Sequence, residues 1–569
     1  MRGIRVRNCW LQIFIGLFGV SGSFQVFAQS VDSPIIISEL KRLSKCAGLF
    51  LKERMPESDP LWTAVKSGQK NGTEACMEIL ALGELDDSGL IQAPSSSASS
   101  TRGSKVISSF LEFHRSQLVV SDYSNGLGSI RNAEIHDVNS PAYHFVYSAL
   151  KKNEPYSALI TRTHDLRARR FSLNSNRREK TADFLFTMKD GMVNGKREPF
   201  FDFGNSYSSM LRNPCDNPCS VIPGDVIPTC TSVPVCCKDC ITSSTQNTNA
   251  APSNVAASPQ INGGFPWYPE LVETGILNGL VPSSVVNTVK VVHRERFNYR
   301  LASTGAIGRA NLRNKYFEGN VNEHMGAGFI GTQTYLLMNN NKALGNLSVR
   351  PDGGIRSYRL WTKHVLEDSL CLQLPALRSS DVMHTLRPNS EFPWRSGIAC
   401  MSCHQTMDVG AGAIRNMYSI LSSDGNATKP TRFFMKKTAT LPFSAYPELE
   451  PDPDFSDRPA KGVIQYRSYD GSMVEIPVEG MQAFGEALAN TQDFYACGAK
   501  RYFEWLTGVP VHLGDISDPL YPVALTNSQK LYRSRVIELG KQLKQNQSVK
   551  ELLRSIIASE TFVTPDRGL

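Results

Sequence analysis

The sequence predicts a mainly α, multi-domain protein, in which a helical module in the C-terminal half follows a Cys- and Pro-rich loop. Two observations carry this prediction. Apolar residues recur at helical spacing in most stretches that are not rich in Ser, Pro or Asn. The length of 569 residues, with 41% hydrophobic and 20% charged residues, suffices for three or four globular domains of roughly 100–200 residues each.

The first 28 residues have the pattern of a secretory signal peptide. A basic start is followed by an apolar core at residues 10–20 and by the small-residue cleavage site Val26-Phe27-Ala28. The alternative is an uncleaved anchor, but this apolar run contains glycines and is short for a membrane span of about 20 residues. No later stretch is long and apolar enough to cross a bilayer. We therefore expect a periplasmic or extracellular protein without a transmembrane anchor after cleavage.

Charge and cysteine content limit the partners and the compartment. Removal of residues 1–28 lowers the formal net charge from +8 to +5, because this segment holds three arginines and no acidic residue. This mild excess does not indicate binding to nucleic acid, which usually needs a concentrated basic face. Apart from Cys9 and the two cysteines of the motif described below, ten cysteines remain, an even number that could form five disulfides in an oxidising compartment.

Residues 29–92 are predicted to form an N-terminal helical segment. Helical spacing predicts helices over residues 35–50 and 73–82, which carry Cys46 and Cys76. A disulfide between these cysteines is our preferred interpretation, and two free buried thiols are the alternative. The following residues, 93–105, are rich in serine and are predicted to form a flexible linker.

An α-rich region, residues 106–240, ends in a cysteine-rich loop. A helix is expected over residues 140–150, and the basic run at 162–180 is interpreted as a solvated face or as a docking surface for an acidic redox partner. Six cysteines between 215 and 240 lie in a Pro-rich stretch without ferredoxin spacing. Three disulfides of undetermined connectivity are therefore favoured over an iron–sulfur or zinc site. Residues 241–264 are predicted to form a second linker.

The second half is predicted to hold a helical region, residues 265–390, and a helical module with C-terminal helices, residues 391–569. Helices are expected over residues 282–294, 326–338 and 359–374. Alternation around Asp470-Gly471 predicts a hairpin over residues 466–478. Three helices are expected at residues 481–506, 526–543 and 548–559, and the last begins with a capping box from Ser548 to Glu551.

One pentapeptide carries the chemistry, Cys400-Met401-Ser402-Cys403-His404. Two thiols three positions apart can form thioethers with both vinyl groups on one edge of a haem, and the adjacent imidazole can bind the iron as proximal ligand. With 13 Cys and 10 His in the chain, composition alone would produce C-x-x-C-H about 0.005 times. The alternative is a redox pair or half of a zinc site, but no second such motif lies near enough to complete a tetrahedral site. We therefore expect one covalent haem c.

In order, the second half contains GAGFIGTQTYLL, VLEDSLCLQLP, C-M-S-C-H-Q-T-M-D, DFYACGAKRYFEWLTG and VKELLRSIIASETF. This order resembles the secreted bacterial cytochrome-c-like proteins of uncharacterised function, over about residues 270–562. The resemblance implies a cytochrome-c-like helical haem module. The positions it matches are Cys400 and Cys403 for haem attachment, His404 as proximal ligand, Met407 and Asp408 as the Met-Asp after the motif, and Cys497 as the F-x-x-C cysteine. The chain departs from that family at Val409-Gly410-Ala411, where a Pro-x-Gly continuation is usual.

The second axial ligand is left open by the sequence. Met473, on the turn after Asp470-Gly471, is our preferred distal candidate, because a hairpin can present a side chain rigidly and a thioether would stabilise Fe(II). The alternatives are another methionine, His512, or an open distal site. The other methionines are Met417, Met435 and Met481. Trp394 and Arg395 could contact the porphyrin edge and a propionate, or could be surface residues.

These observations favour a secreted c-type haem protein that transfers electrons through a single covalent haem to a redox partner protein that the sequence does not identify. The alternatives are a peroxidase-like haem enzyme with an open sixth site and a cell-envelope binding protein in which haem is ancillary. No catalytic constellation outside the motif rises above background, so no catalytic residue is assigned. Cys371 and Cys497 are left after the other pairings, and a bridge between them and two free thiols are equally compatible with the sequence.

Overall fold

A computed structural model describes the chain over segments that lie mainly near its two ends. The described residues are 34–91, 97–118, 139–171, 180–181, 200–202, 276–282, 288–294, 298–300, 307–309, 314–320, 324–338, 356–390, 393–415, 417–421, 433–437, 459–519 and 523–565. The predicted signal peptide (1–28), the cysteine-rich loop (215–240) and the linker at 241–264 lie outside these residues.

Helices dominate the described residues, which confirms the mainly α prediction. The helices of the N-terminal part are α1 (Pro34–Cys46), α2 (Pro60–Lys66), α3 (Gly72–Ala81), α4 (Ser97–Gln117), α5 (Ser140–Leu150) and α6 (Ala158–Thr161). Those of the C-terminal part are α7 (Gln333–Met338), α8 (Arg356–Leu370), α9 (Ser379–Val382), α10 (Ile398–Ala411), α11 (Gly480–Asn490), α12 (Gln492–Thr507), α13 (Asn527–Asn546), α14 (Val549–Ile557) and α15 (Glu560–Val563). Within the described part of the chain, no helix has the length and apolar character needed to cross a bilayer.

The strands form small sheets of two or three members. They are β1 (Leu166–Phe171), β2 (Lys180–Thr181), β3 (Phe200–Asp202), β4 (Ile276–Pro282), β5 (Thr288–Arg294), β6 (Asn298–Arg300), β7 (Ile307–Arg309), β8 (Asn314–Asn320), β9 (Met417–Leu421), β10 (Phe433–Lys437), β11 (Lys461–Arg467) and β12 (Met473–Glu479). Two sheets have the orders β2-β1-β4 and β3-β5-β8, and the other pairs are β6 with β7, β9 with β10 and β11 with β12.

The helix expected over residues 282–294 is wrong, because this stretch forms the end of β4 and all of β5. The four valines that suggested an apolar helical stripe are β-branched, and such residues favour the extended backbone of a strand. Strand β5 pairs with β8 in antiparallel fashion and with β3 in parallel. The region 265–390 is therefore helical only in its second part, from the 3₁₀ turn Gly328–Gly331 onward.

The linker expected at residues 93–105 is also wrong from Ser97 onward, where α4 begins. Tertiary contacts stabilise this serine-rich helical turn despite its low intrinsic propensity. The Arg102 guanidinium donates to the carboxylates of Glu53 (3.1 Å) and Asp59 (2.9 Å). The Ser104 hydroxyl donates to the carbonyl oxygen of Leu277 at 2.6 Å, which ties α4 to β4.

The C-terminal helices follow the prediction with one break. The stretch 481–506 forms two helices, because the Thr491 hydroxyl accepts a hydrogen bond from the amide N–H of Phe494 (3.3 Å) and caps α12. The hairpin around Asp470-Gly471 is confirmed as β11 and β12. Helix α14 starts at a Ser548 side chain that accepts from the Glu551 amide, although the reciprocal bond of a full capping box is not made.

A single large core joins the two ends of the chain. Phe50 and Phe110 pack edge-to-face on Trp505, with ring centroids 5.5 and 5.0 Å apart. The Lys45 ammonium group donates to the carbonyl oxygen of Phe562 at 2.7 Å. The segments 29–92 and 391–569 therefore contribute side chains to the same core.

Both disulfides that bear on the described residues are present. The Cys46–Cys76 bridge links α1 to α3 with a Cα–Cα distance of 5.7 Å, which confirms the preferred pairing. The Cys371–Cys497 bridge ties the end of α8 to α12 with a Cα–Cα distance of 5.3 Å, which decides between the two alternatives that the sequence left open.

The basic run beginning at residue 162 is not a solvated face at its start. Arg162 and Arg167 are each only 6% exposed. The Arg162 guanidinium donates to His144 Nδ1 at 2.9 Å and pairs with Glu154. These two arginines therefore belong to a buried polar network and cannot contribute to a docking surface.

Candidate functional site

Helix α10 places the cysteine–histidine motif on one face. The helix begins at Gly397, whose carbonyl oxygen accepts from the Met401 amide at 2.9 Å. Cys400, Cys403 and His404 therefore lie within the first two turns and, at i, i+3 and i+4, project from the same side. Both cysteines are free thiols, Cys400 exposed and Cys403 partly exposed. The motif thus presents two unpaired thiols and an imidazole at an open surface.

The opposite side of α10 is anchored against α8. Gly410 is buried there, and a Cβ atom at this position would lie 2.5 Å from Cγ2 of Thr362. A larger residue would push the two helices apart, since cores transmit such overlap to the backbone. This close approach fixes the height and rotation of the helix that carries the motif.

His404 is held between an indole ring and a carboxylate. The Trp394 ring stacks on the imidazole with a centroid distance of 4.2 Å and an interplanar angle of 25°. Its Nδ1 atom is buried, makes no hydrogen bond to any described residue, and lies 3.9 Å from Oδ1 of Asp408. Because Asp408 follows one helical turn later, a small rotation of the imidazole would bring Nδ1–H into hydrogen-bond range.

Asp408 is itself fixed by Arg359 of α8. The guanidinium binds both carboxylate oxygens, with Nη2 3.0 Å from Oδ2 and a second, shorter contact from Nε to Oδ1. Burial raises the pKa of Asp408, but the neighbouring His404 and Arg359 outweigh it, so the pKa of this carboxyl lies below its usual value. Arg359 also lies over the Trp394 ring, 5.0 Å from its centroid. Four side chains from three elements thus support the face that bears the motif.

The residues of this face fit a covalently attached haem. Thioether attachment needs two accessible thiols one turn apart, and Cys400 and Cys403 meet this need. An axial histidine that binds metal through Nε2 keeps its proton on Nδ1 and usually gives it to a carboxylate or carbonyl. The buried, unpartnered Nδ1 of His404 beside Asp408 matches that requirement. Among the described residues, no group of three or more His, Cys, Asp or Glu side chains is arranged to hold a metal ion directly.

A cavity of about 1080 Å³ borders the neighbouring face of α10. Met401, Gln405 and Asp408 line it at i, i+4 and i+7, whereas Cys400, Cys403 and His404 are not among its lining residues. The wall is completed by residues 384–387, by Trp394 and Arg395, and by both ends of the β11–β12 hairpin. Trp394 therefore separates the cavity from the imidazole of His404.

The structure places the predicted distal candidates differently. Met473 lies at the start of β12, partly buried against a small apolar cluster of Leu377, Val382 and Met401. Met481 is 2% exposed in the main core. His512 is partly buried beside α13, and its carbonyl oxygen accepts from Arg533 at 2.7 Å. Met417 and Met435 lie in β9 and β10. Of these residues, Met473 is the one in the apolar cluster with Met401 of the motif.

Sequence reasoning missed the support of His404. Asp408 stands at i+4 from His404 on a predicted helix, so helical spacing could have suggested the contact. Arg359 lies 49 residues before Asp408, and no local pattern links the two. Arg395, proposed as a propionate contact, lines the cavity and packs over Trp394 at 5.1 Å.

A scan of the chain against protein-family models, a search of curated proteins and a search of solved structures each returned no match.

Proposed function

We propose that this chain is a secreted c-type haem protein that transfers electrons through one covalent haem c, as its resemblance to cytochrome-c-like proteins implies. One observation carries the proposal: Cys400, Cys403 and His404 lie on a single open face of α10, with both thiols unpaired. All four cysteines of the two described bridges are oxidised, so the free state of these two thiols sets them apart. When bound, haem c would supply a one-electron couple at its iron.

The side chains around His404 would orient it as an axial ligand. Asp408 stands where it can accept the Nδ1 proton, which leaves Nε2 free to bind metal. Arg359 keeps the carboxylate in place through two contacts. Trp394 limits rotation of the imidazole by covering one of its faces. A ligand oriented before binding loses less conformational entropy when it binds.

The disulfides support the proposed compartment. Two bridges within the described residues are expected for a protein that folds in an oxidising environment, where haem c is also attached. They agree with the signal peptide predicted at residues 1–28, and together they favour a periplasmic or extracellular location. The redox partner is proposed to be another protein, of unknown identity.

Met473 is retained as the proposed distal ligand. Its position in the apolar cluster beside Met401 supports it over Met481, which the main core encloses. Ligation by Met473 predicts a low-spin ferric spectrum that Met473→Ala converts to high-spin with ready cyanide binding. A wild-type protein that is already high-spin would instead favour the peroxidase-like alternative with an open sixth site.

Covalent attachment is tested by expressing the full chain with a bacterial cytochrome c maturation system and staining a denaturing gel for haem peroxidase activity. Wild type should stain, and the double variant Cys400→Ser/Cys403→Ser should not, because thioethers alone survive denaturation. The matched control replaces another cysteine pair, Cys46→Ser/Cys76→Ser, and should retain the stain. A wild-type band without stain, under conditions that mature a known c-type cytochrome, would refute the proposal.

A further inference from the structure

We propose that the cavity beside α10 binds an amphipathic organic anion, a small molecule with a flat apolar body and one carboxylate or similar group. Its volume of about 1080 Å³ lies at the upper end of ligand sites, which span roughly 300–1,000 Å³. The proposal concerns a different face of α10 from the haem motif. It goes beyond the electron-transfer function and does not depend on it.

The floor of the cavity is apolar. Leu386 and Trp394 contribute from the segment before α10, and Met401 contributes from α10 itself. Val463 of β11 and Val478 of β12 add aliphatic surface from the hairpin. Aliphatic and aromatic groups gain free energy by covering an apolar ligand surface, by roughly 25 cal/mol per Å² removed from water. The floor therefore favours a ligand with a flat hydrocarbon body.

The rim of the cavity carries an excess of positive charge. Among the described residues that line it, the arginines and lysine are Arg387, Arg395, Arg415 and Lys461, and the acids are Asp408 and Glu479. Both acids already have a cation beside them. Arg359, outside the wall, binds Asp408, and Lys461 Nζ lies 3.8 Å from Glu479. The remaining excess of guanidinium groups would attract an anionic head group, and arginine matches a carboxylate by two parallel hydrogen bonds.

The basic rim is built on fixed backbone. The Arg387 amide donates to the carbonyl oxygen of Arg395 at 2.9 Å, which places both side chains on the same edge of the cavity. On the far wall, Arg415 donates to the carbonyl oxygens of Gly412 and Lys461, each at 3.2 Å. Gly412 is buried against β11, where a Cβ atom would collide with that same Lys461 carbonyl. The charged groups thus surround the apolar floor at two separate points that the fold holds in place.

Binding is tested by isothermal titration calorimetry of the full, haem-loaded chain with 2-naphthoate, and with neutral 2-naphthalenemethanol as the matched ligand. We expect 2-naphthoate to bind at least about tenfold more tightly than the alcohol, because only the carboxylate meets the arginines. Arg387→Glu, at an exposed position, should weaken naphthoate binding about fivefold or more and leave the alcohol unchanged. Val463→Trp should reduce the affinity for both ligands, since the indole would fill the floor.

The control variant is Lys152→Glu, which reverses a charge on the wall of a second, smaller cavity far along the sequence and should leave naphthoate binding unchanged. Circular dichroism melting shows whether each variant is folded. Equal affinity for acid and alcohol, or an Arg387→Glu variant that binds like wild type, would overturn the proposal. So would binding to the haem-free Cys400→Ser/Cys403→Ser variant alone, because the haem would then occupy the cavity. The gel stain reports haem attachment separately, so the two proposals can fail independently.

Discussion

The ion pair between Arg359 and Asp408 should contribute measurably to stability as well as to the position of His404. We consider three variants, Arg359→Met, Asp408→Asn and the double variant. Methionine keeps an apolar stem over Trp394, and asparagine keeps the shape of the carboxylate, so each change removes charge with little change of volume. The coupling free energy from this double-mutant cycle isolates the interaction of the two side chains.

The expected coupling follows from burial and geometry. The two side chains are 11% and 26% exposed, and both carboxylate oxygens are bound by the guanidinium. Charge-assisted hydrogen bonds contribute about 1.5–3 kcal/mol each, and the cost of desolvating two partly buried charges offsets part of this. We therefore expect a coupling of about 2 kcal/mol. The control pair, Lys461 and Glu479, is 66% and 69% exposed at 3.8 Å and should couple by less than about 0.5 kcal/mol.

The measurement is urea unfolding followed by circular dichroism, with wild type, two single variants and one double variant for each pair. High salt should leave the Arg359–Asp408 coupling largely intact and remove what little the exposed pair contributes. A coupling for Arg359–Asp408 that is no larger than that of Lys461–Glu479 would show that the bidentate geometry does not hold Asp408, and the proposed orientation of His404 would lose its support.

Two further predictions concern stability. Burial, followed by the charge of neighbouring His144, lowers the pKa of His324 to about 4. The unfolded chain takes up this proton below about pH 6.5, so the stabilisation is complete above that pH and is lost as the pH falls toward 4, by at most about 3 kcal/mol. Urea midpoints from pH 8 to 4 should show this loss, and His324→Gln should flatten the slope; an unchanged slope would contradict the assignment. Removal of the Cys371–Cys497 bridge, which closes 126 residues, should cost about 5 kcal/mol, against about 4 kcal/mol for the Cys46–Cys76 bridge, which closes 30. Thermal unfolding of the two serine double variants checks this order, and a greater loss for the shorter loop would contradict it.

Much of the helical architecture could be predicted from the sequence, because amphipathic helices announce themselves locally. The apolar stripe of α14 and the turn at Asp470-Gly471 both appear where spacing placed them. The errors arose where long-range contacts decide the outcome. Ser97 begins a helix because α4 is held by Glu53 and Leu277. The valine-rich stretch of β5 is extended because β8 lies beside it.

The candidate site divides in the same way. The motif Cys400–His404 and its placement at the start of a helix follow from local sequence alone. The partners of His404 do not, since Trp394 reaches it across a turn and Arg359 from another helix. The cavity was also not foreseen, because its rim combines Arg387 with Lys461, which tertiary packing alone brings together.

The central claim is that α10 carries one covalent haem, and mass spectrometry of the purified, exported chain tests it most directly. The account predicts an intact mass raised by one haem after denaturation, and a proteolytic peptide spanning Cys400 and Cys403 that retains this added mass. The Cys400→Ser/Cys403→Ser variant should lack it. An exported wild-type chain whose peptide carries two free thiols or a disulfide between Cys400 and Cys403, beside a correctly matured control cytochrome, would contradict the account.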